Sequence, residues 1–244
     1  MANFSVILAA AGRSSRFNDP AFKKTYINLN QKAVWLHSAE RFLNRDDVQQ
    51  LIIVIAQEDK ESFSLKFGSD VETMGIDVVV GGAERADSVQ NALDKVDANC
   101  EFVAIHDAAR PCVSDEEVER VFVAATQSNA AILAIPVTST VKKSEDGKFI
   151  QETVDRSKLW LGQTPQCFSR ELIQGAYANR GDFKPTDEAS LVERTGTQGT
   201  LVEGSPLNIK LTTKADLAFA EACIKAMTNP KLDVPPSSEG NLFR

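Results

Sequence analysis

The chain has 244 residues, of which 43% are hydrophobic and 25% are charged, and its formal net charge is -7. This composition is typical of globular proteins, excludes disorder of the whole chain, and allows one large α/β domain or two small ones. The acidic balance argues against nucleic acid and anionic membranes as partners, because both reward clustered positive charge.

The cysteines and the apolar segments indicate the compartment. The cysteines are widely spaced, without the paired spacing of zinc sites, and this suits a reduced cytosolic protein. They are Cys100, Cys112, Cys167 and Cys223. No run reaches the roughly 18 apolar residues of a membrane span, and the N-terminus enters a strand without a secretory leader. We therefore expect a cytoplasmic protein without membrane contact.

Apolar runs in the first half of the chain predict buried parallel strands. They cover residues 4–10, 51–56, 76–80, 102–105 and 130–137. Amphipathic stretches between them predict helices at residues 34–43, 85–96 and 116–126. Ser114 followed by Glu117 has the spacing of a helix capping box. The alternation predicts an α/β fold with a single doubly wound, mostly parallel sheet, covered by helices on both faces.

The second half of the chain has a different rhythm. Residues 138–160 are polar and favour β-structure, with a turn at residues 145–148, and we interpret them as an arm that projects from the domain. Further helices are predicted at 170–179, 187–194 and 214–227, and further strands at 198–203 and 208–211. One domain should therefore cover residues 1–229, followed by a proline-containing flexible tail at 230–244.

The turn after the first strand has the layout of a phosphate site. Small residues end the strand at Ala10, Ala11 and Gly12, and basic residues follow, including Arg16 and Lys24. Such a turn lets backbone N–H groups approach phosphate oxygens while the side chains neutralise charge. A glycine among serines is also ordinary turn chemistry, so this segment alone leaves both interpretations open.

The predicted strands at 76–80 and 102–105 end in candidate site residues. Gly82 to Ser88 combines a glycine turn with a helix start, and is either a nucleoside site or an ordinary loop. Asp107 and Arg110 follow the strand at 102–105. A carboxylate beside a triphosphate commonly binds Mg²⁺, but these two residues also suit a simple ion pair. His106 fits a packed strand residue better than a catalyst.

The remaining polar motifs each have an ordinary alternative. A polar arm, a helix start or a surface lysine explains them as well as a site does. The motifs are Thr138-Ser139-Thr140 with Lys142, Thr153-Val154-Asp155-Arg156, Gln163-Thr164-Pro165-Gln166, Thr186-Asp187-Glu188 and Lys210; His37 is likewise interpreted as structural.

Taken in order, these motifs closely resemble one family, the 2-C-methyl-D-erythritol 4-phosphate cytidylyltransferases, from about residue 4 to residue 227. The motifs that carry the resemblance are Ala10-Ala11-Gly12, Arg16, Lys24-Thr25-Tyr26, residues 81–88, residues 106–111, Thr153–Arg156, Gln163–Gln166, Thr186–Ala189 and Asn208–Lys210. The resemblance implies a Rossmann-like nucleotidyltransferase fold that transfers CMP from CTP to methylerythritol phosphate and releases pyrophosphate. This reaction belongs to the non-mevalonate route to isoprenoid precursors.

The resemblance also implies residue roles. Arg16 and Lys24 stabilise the transition state at the α-phosphorus, while Arg156 and Lys210 grip the phosphate of the attacking alcohol. Mg²⁺ bridges the triphosphate, with Asp107 as its candidate protein ligand or, alternatively, as a partner of the ribose. The substrate-binding residues by similarity are Ala10, Ala11, Gly12, Gly82, Ala83, Arg85, Ser88, Asp107, Arg110, Thr140, Thr164 and Thr186.

The resemblance further implies a homodimer, in which the arm carries Arg156 into the site of the partner. Two departures from the family pattern concern the nucleotide half. Ser14 replaces a second glycine, and Lys23 replaces the proline that usually precedes the catalytic lysine. Lys23 therefore competes with Lys24 for the role at the phosphate.

Two other functions share part of this pattern. A cytidylyltransferase for another polyol phosphate, such as ribitol 5-phosphate, would have the same nucleotide motifs. A nucleotide-binding protein without catalysis would need no clamp for the alcohol phosphate, so the presence of both Arg156 and Lys210 favours an enzyme.

Overall fold

The computed structural model describes residues 2–12 and 23–228. Two of the sequence predictions, the catalytic role of Arg16 and the flexible tail at 230–244, concern residues outside these ranges. Ser14 also lies outside them. Within the described part, no helix is both long enough and apolar enough to cross a lipid bilayer.

The secondary structure alternates strands and helices. The strands are β1 (Phe4–Ala9), β2 (Asn28–Leu29), β3 (Lys32–Ala33), β4 (Val48–Ile55), β5 (Asp77–Val80), β6 (Phe102–Asp107), β7 (Ala130–Pro136), β8 (Val141–Lys143), β9 (Glu152–Val154), β10 (Trp160–Ser169) and β11 (Thr200–Glu203). The helices are α1 (Val34–Leu43), α2 (Lys60–Met74), α3 (Arg85–Leu93), α4 (Asp115–Ser128), α5 (Arg170–Ala178), α6 (Glu188–Glu193) and α7 (Ala215–Thr228). Short 3₁₀ turns lie at Lys24–Tyr26 and Gln57–Asp59.

The central sheet has seven strands in the order β11-β7-β10-β6-β1-β4-β5. Its pairings are parallel except those of β10, which runs antiparallel between β6 and β7. The predicted doubly wound, mostly parallel sheet is therefore confirmed. The sequence did not predict β10, because its residues lack the continuous apolar run that marks a buried strand.

Side chains of β1 alternate between the two faces of the sheet and show why both are covered. Phe4 points into a core shared with α1, α2 and α4, and its ring stacks on Phe122 at a centroid distance of 3.8 Å. Ile7 points the other way, into a core shared with α3, α5 and α6. Each fully buried side chain of this size contributes about 1.5–3 kcal/mol to stability, so the two cores together fix the position of the strand ends.

The predicted strand at 208–211 is wrong. Asn208 lies in a turn, where its N–H donates to the carbonyl oxygen of Ser205 at 3.0 Å, and the Leu211 N–H donates to Ala109 at 2.9 Å. Leu211 is buried against α7, including Ala220. The apolar residues of this segment therefore pack under a helix and do not join the sheet.

The predicted arm forms a hairpin of its own. Strands β8 and β9 pair only with each other, with Val141 opposite Val154, in a separate two-stranded sheet. The connection contains Gly147 at φ +69°, a conformation that glycine adopts without strain. Beyond it Phe149 and Ile150 are 74% and 67% exposed. The arm therefore presents apolar surface outside both cores.

The capping box at the start of α4 is confirmed, and Glu117 extends it. Its carboxylate accepts hydrogen bonds from the N–H of Ser114 at 2.9 Å and from the N–H of Ser205 at 2.6 Å. Burial raises the pKa of Glu117, opposed by these N–H groups. Glu117 thus ties α4 to the loop that leads to Lys210.

We expect Glu117→Ala to lower the free energy of unfolding by about 2–3 kcal/mol, because it orphans two backbone N–H groups. Glu117→Gln should cost less, since one acceptor oxygen remains. Urea denaturation measures both, with Thr126→Ala on the exposed side of α4 as a control that stays within about 0.5 kcal/mol of the parent. Equal midpoints for Glu117→Ala and Thr126→Ala would contradict this assignment.

Candidate functional site

A cavity of about 770 Å³ opens at the carboxyl ends of β1, β4, β5 and β6. The register of the sheet brings these ends level, since Ala9 pairs with Val54 on one side and Asp107 on the other. Doubly wound folds bind their ligands at this edge. The cavity is lined by Ala9, Ala10, Ala11, Gly12, Lys24, Thr25, Ala56, Gln57, Glu58, Gly81, Gly82, Ala83, Glu84, Arg85, Ser88, Asp107, Ala109 and Lys210.

The glycine turn after β5 forms one wall of the cavity. A Cβ at Gly81 would lie 2.8 Å from the Cβ of Ala11, so only glycine fits against the turn after β1. Ser88 shapes the same wall, because its hydroxyl accepts from the Gly82 N–H at 3.1 Å and donates to the Glu84 carbonyl at 3.0 Å. The two backbone turns predicted to hold the nucleotide therefore face each other closely.

The two adjacent lysines point to different surroundings. Lys24 lines the cavity. Lys23 forms an ion pair with Asp59, and its Nζ lies 3.8 Å from a carboxylate oxygen of Glu58. The sequence could not decide which of the two lysines faces the cavity. In the structure it is Lys24.

Asp107 is the electrostatic centre of the cavity. Its carboxylate lies 2.8 Å from Lys210 Nζ, 3.4 Å from Arg110 Nε and 3.8 Å from Arg85 Nη2. Burial alone would raise the pKa of Asp107, but these three positive charges outweigh it and hold the pKa well below its usual value. The pair with Arg110 left open by the sequence therefore exists, as part of a larger cluster.

Buried hydrogen bonds position this cluster from below. The Asp107 N–H donates to Thr164 Oγ1 at 3.0 Å, and that oxygen lies 3.1 Å from His106 Nδ1. His106 Nε2 lies 3.1 Å from the carbonyl oxygen of Arg110, which only accepts, so Nε2 carries the proton and Thr164 donates to Nδ1. Burial lowers the pKa of His106 to about 4. His106 is therefore neutral and structural.

The segment before Lys210 is held by the same network. Asn208 donates from Nδ2 to the Thr164 carbonyl at 3.0 Å, and Arg110 Nη1 donates to the Asn208 carbonyl at 2.8 Å. Asn208 and Thr164 are both buried. Lys210 thus reaches Asp107 from a turn whose backbone is fixed two residues earlier.

A second buried carboxylate orients Arg85. Glu188 has no exposed surface, and it accepts two hydrogen bonds from the guanidinium of Arg85, at 2.6 and 2.8 Å. The Tyr177 hydroxyl donates to the same carboxylate at 3.0 Å. Burial would lower the pKa of Arg85, but the charge of Glu188 raises it, so the cation facing the cavity is permanent.

Some predicted site residues lie away from this cavity. Thr140 and Arg156 are exposed on the arm and its following loop, and Thr186 is exposed ahead of α6. His37 lies in α1, with Nε2 2.7 Å from the carbonyl oxygen of Leu29. Within one chain the structure therefore assembles the nucleotide half of the predicted site more completely than the alcohol half.

Sequence reasoning also missed two residues of the site and the role of a third. Gln57 and Glu58 line the cavity directly after β4. Glu188, named from the sequence only within the motif at 186–188, supports Arg85 from α6. The position of Gln57 and Glu58 at the end of an apolar run was the available signal. No local pattern pairs Glu188 with Arg85, because the two residues are far apart in the chain.

The described residues offer few ligands for a metal ion. They contain no group of three or more His, Cys, Asp or Glu side chains that could hold a metal ion by themselves. Magnesium commonly takes one or two carboxylates together with phosphate oxygens, and Asp107 supplies one such carboxylate in the cavity. The donor set therefore fits a magnesium ion that a nucleotide brings with it.

CTP is the ligand that the sequence resemblance implies for this cavity, and we expect Gly81→Ala to weaken its binding roughly 10-fold, because overpacking of about 1–3 kcal/mol must be relieved by moving the wall of the cavity. Isothermal titration calorimetry measures the affinity. Gly175→Ala is the matched control, since Gly175 is an exposed position of α5 where a Cβ meets nothing within 4 Å. Unchanged affinity in Gly81→Ala would contradict the close approach of the two turns.

Comparisons with known proteins show the family of the chain. The profile of the family described as 2-C-methyl-D-erythritol 4-phosphate cytidylyltransferase matches residues 4–226. A relative with that name from Dictyoglomus thermophilum is 41% identical over 222 residues, which cover 89% of this chain and 95% of the relative. Another, from Bacillus velezensis, is 40% identical and covers 91% of this chain and 96% of its own length.

Solved structures lead to the same family. The crystal structure of 4-diphosphocytidyl-2C-methyl-D-erythritol synthase from Anaerococcus prevotii superposes with a TM-score of 0.79 at 27% identity, covering 92% of this chain and 96% of that one. The cytidylyltransferase from Francisella tularensis gives 0.74 at 32% identity, covering 91% of this chain and 100% of that one. The chain therefore belongs to the 2-C-methyl-D-erythritol 4-phosphate cytidylyltransferase family.

Proposed function

We propose that the protein transfers CMP from CTP to 2-C-methyl-D-erythritol 4-phosphate, giving 4-diphosphocytidyl-2-C-methyl-D-erythritol and pyrophosphate. The reaction serves the non-mevalonate route to isoprenoid precursors. One observation carries the proposal: the cavity at which two backbone turns approach closely is lined by three cations, Lys24, Arg85 and Lys210, and the last two lie beside the carboxylate of Asp107. Family membership supports the identity of both substrates.

The chemistry explains the need for fixed cations. An oxygen of the alcohol phosphate forms a bond to the α-phosphorus of CTP, while the bond from that phosphorus to the bridging oxygen breaks and pyrophosphate leaves. Negative charge accumulates on a crowded phosphorus between two anionic substrates. Preorganised cations stabilise such a transition state. We assign this role to Lys24 and Arg16.

No general base is required, because the nucleophile is already an ionised phosphate. His106 agrees with this scheme, since both its ring nitrogens are engaged in hydrogen bonds below Asp107 and it has no exposed surface. The buried imidazole is a support for the site and not a proton acceptor in the reaction.

The nucleotide is assigned to the walls of the cavity. We propose that backbone groups of Ala10, Ala11 and Ala83 read the edge of cytosine, and that Gly12 and the loop from Gly82 to Ser88 hold the ribose and phosphates. Small side chains at these positions favour this role, because they let the ligand reach the backbone. Arg85 contributes a permanent positive charge at the same wall.

The alcohol substrate is assigned to the side of Lys210. We propose that Lys210 and Arg156 bind its phosphate and that Thr140, Thr186 and Arg110 surround it. Thr164 contributes through its hydrogen bond to the Asp107 backbone. The 2.8 Å ion pair between Lys210 and Asp107 supports this assignment, because it holds the lysine at the cavity.

Magnesium is the proposed cofactor. Asp107 would hold it together with phosphate oxygens of CTP, and the ion would neutralise triphosphate charge. The carboxylate of Asp107 is ionised, because Lys210, Arg110 and Arg85 hold its pKa well below its usual value. These cations also compensate its charge, so the triphosphate would have to supply the negative charge that draws the ion into the cavity.

A homodimer completes the proposed site. The arm exposes Phe149, Ile150 and Trp160, and Leu161 directly after it is 55% exposed; large apolar side chains exposed on one segment suit a protein interface. Arg156 lies exposed on the same arm and does not line the cavity of its own chain. We therefore propose that each arm docks on a second copy and delivers Arg156 to the partner.

The proposed compartment is the cytoplasm. All four cysteines are buried as free thiols, which is the state expected in a reducing environment.

Purified protein with CTP and Mg²⁺ is expected to release pyrophosphate with methylerythritol phosphate, and far more slowly with ribitol 5-phosphate. A coupled pyrophosphate assay compares the two alcohols under identical conditions. Preference for ribitol phosphate would assign the chain to another polyol phosphate, and no turnover with either alcohol would contradict the enzyme proposal.

Subunit mixing tests whether Arg156 acts in the partner's site. Lys24→Ala and Arg156→Ala are each expected to reduce turnover by about 10²-fold or more, the scale of a lost transition-state contact. Mixed dimers of the two variants should regain activity, because one of the two sites is then intact. Inactive mixed dimers, verified by differently tagged subunits, would show that Arg156 acts within its own chain.

A further inference from the structure

The residues on both sides of Lys24 are fixed to a single carboxylate. The ammonium of Lys23 is ion-paired with Oδ2 of Asp59, and the hydroxyl of Tyr26 donates to the same oxygen at 3.0 Å. The 3₁₀ turn between them closes on itself, since the Tyr26 N–H donates to the Lys23 carbonyl at 2.9 Å. Lys24 is therefore the first residue of a turn that is tied at both ends to Asp59.

Asp59 is itself firmly placed. It ends the 3₁₀ turn that follows β4, where its N–H donates to the carbonyl oxygen of Ala56 at 3.0 Å, and α2 begins at the next residue. Its own carbonyl accepts from Ser62 Oγ at 3.0 Å. Its side chain is 12% exposed, and that of Lys23 is 14% exposed. An ion pair in such a poorly solvated position is less screened than one on the surface.

Packing against α2 holds the other end of the turn. The ring of Tyr26 contacts Phe63 and Phe67, at centroid distances of 5.4 and 5.7 Å. The Lys66 ammonium donates to the Tyr26 carbonyl at 3.1 Å. Burial raises the pKa of Tyr26, and the charge of Asp59 raises it further, so the hydroxyl stays a hydrogen-bond donor.

The backbone of Lys23 shows what the ion pair replaces. Its φ is -70° and its ψ is 131°, an extended conformation whose φ a proline ring would fix by itself. Lysine has no such restriction. The ion pair with Asp59 instead restrains Lys23 through its side chain. Lys23 directly precedes Lys24, which lines the cavity.

We propose that Asp59 is a positioning residue for Lys24: by holding Lys23 and Tyr26 together, it fixes the turn that presents the Lys24 ammonium to the nucleotide. The inference rests on the proposed role of Lys24 at the α-phosphorus of CTP. Asp59 is not among the described residues that line the cavity, so its effect is transmitted through the turn. Gln57 and Glu58, from the same 3₁₀ turn as Asp59, do line the cavity. The contacts of Asp59 with Lys23 and Tyr26 are therefore directly connected to the wall of the site.

Kinetics of Asp59→Asn test the proposal, because asparagine keeps the size of the side chain and removes its charge. Misplacing a transition-state group costs kcat, so we expect kcat to fall about 10- to 100-fold while the KM for CTP changes less than about threefold. Glu61→Gln, an exposed position in the first turn of α2, makes the same change in net charge and should leave both constants unaltered.

A double-mutant cycle separates positioning from a merely structural role. In a Lys24→Ala background, adding Asp59→Asn should cause no further loss of kcat, because the residue through which Asp59 acts is already gone. An additive loss would overturn the proposal. If Lys24→Ala alone leaves turnover intact, the proposed role of Lys24 has failed instead, and the two failures are distinct.

Variants of Lys23 provide a second route if Asp59→Asn does not fold, as judged by its thermal unfolding. Lys23→Met removes the charge and should reproduce the loss of kcat, whereas Lys23→Arg keeps the charge and should retain most activity. The same cycle with Lys24→Ala then applies to Lys23→Met. Equal kcat values for Lys23→Met and the parent protein would contradict the proposal that the Lys23–Asp59 ion pair positions Lys24.

Discussion

The buried carboxylate of Asp107 is the constraint around which the site is organised. An ionised carboxylate without partners costs several kcal/mol in the interior, so it must be matched by cations and hydrogen bonds. Lys210, Arg110 and Arg85 supply the charges, while Thr164 fixes the backbone of Asp107. The segments that carry these partners are therefore held at the carboxyl end of β6.

This arrangement also explains how an acidic protein binds anions. The chain carries a net charge of -7, yet three cations converge on one carboxylate at the sheet edge, which leaves local positive charge. Glu188 keeps Arg85 in place from beneath, and Asp59 holds the turn that carries Lys24. Carboxylates outside the cavity thus position the cations inside it, and the substrate phosphates meet groups that need little rearrangement.

The sequence predicted the parts of the fold that depend on continuous burial. β1 and β6 lie between two helical layers, so nearly every residue is apolar and the pattern is unmistakable. β10 was missed because its glycine, glutamines and threonine interrupt that pattern, although the strand is central. The site divides in the same way. The topology predicts that residues at strand ends, such as Asp107, lie at the site. The sequence does not distinguish Lys23 from Lys24, because only the folded structure shows that Lys23 pairs with Asp59 and that Lys24 lines the cavity.

We propose that the cavity at the ends of β1 and β6 is the CTP site and that Lys24 faces the reacting phosphorus. A crystal structure with Mg²⁺ and a non-hydrolysable CTP analogue tests this proposal most directly. We expect cytosine against the backbone turns, Lys24 Nζ within hydrogen-bonding distance of the α-phosphate, and Lys23 still paired with Asp59. A nucleotide bound elsewhere, or Lys23 in place of Lys24 at the α-phosphate, would contradict it.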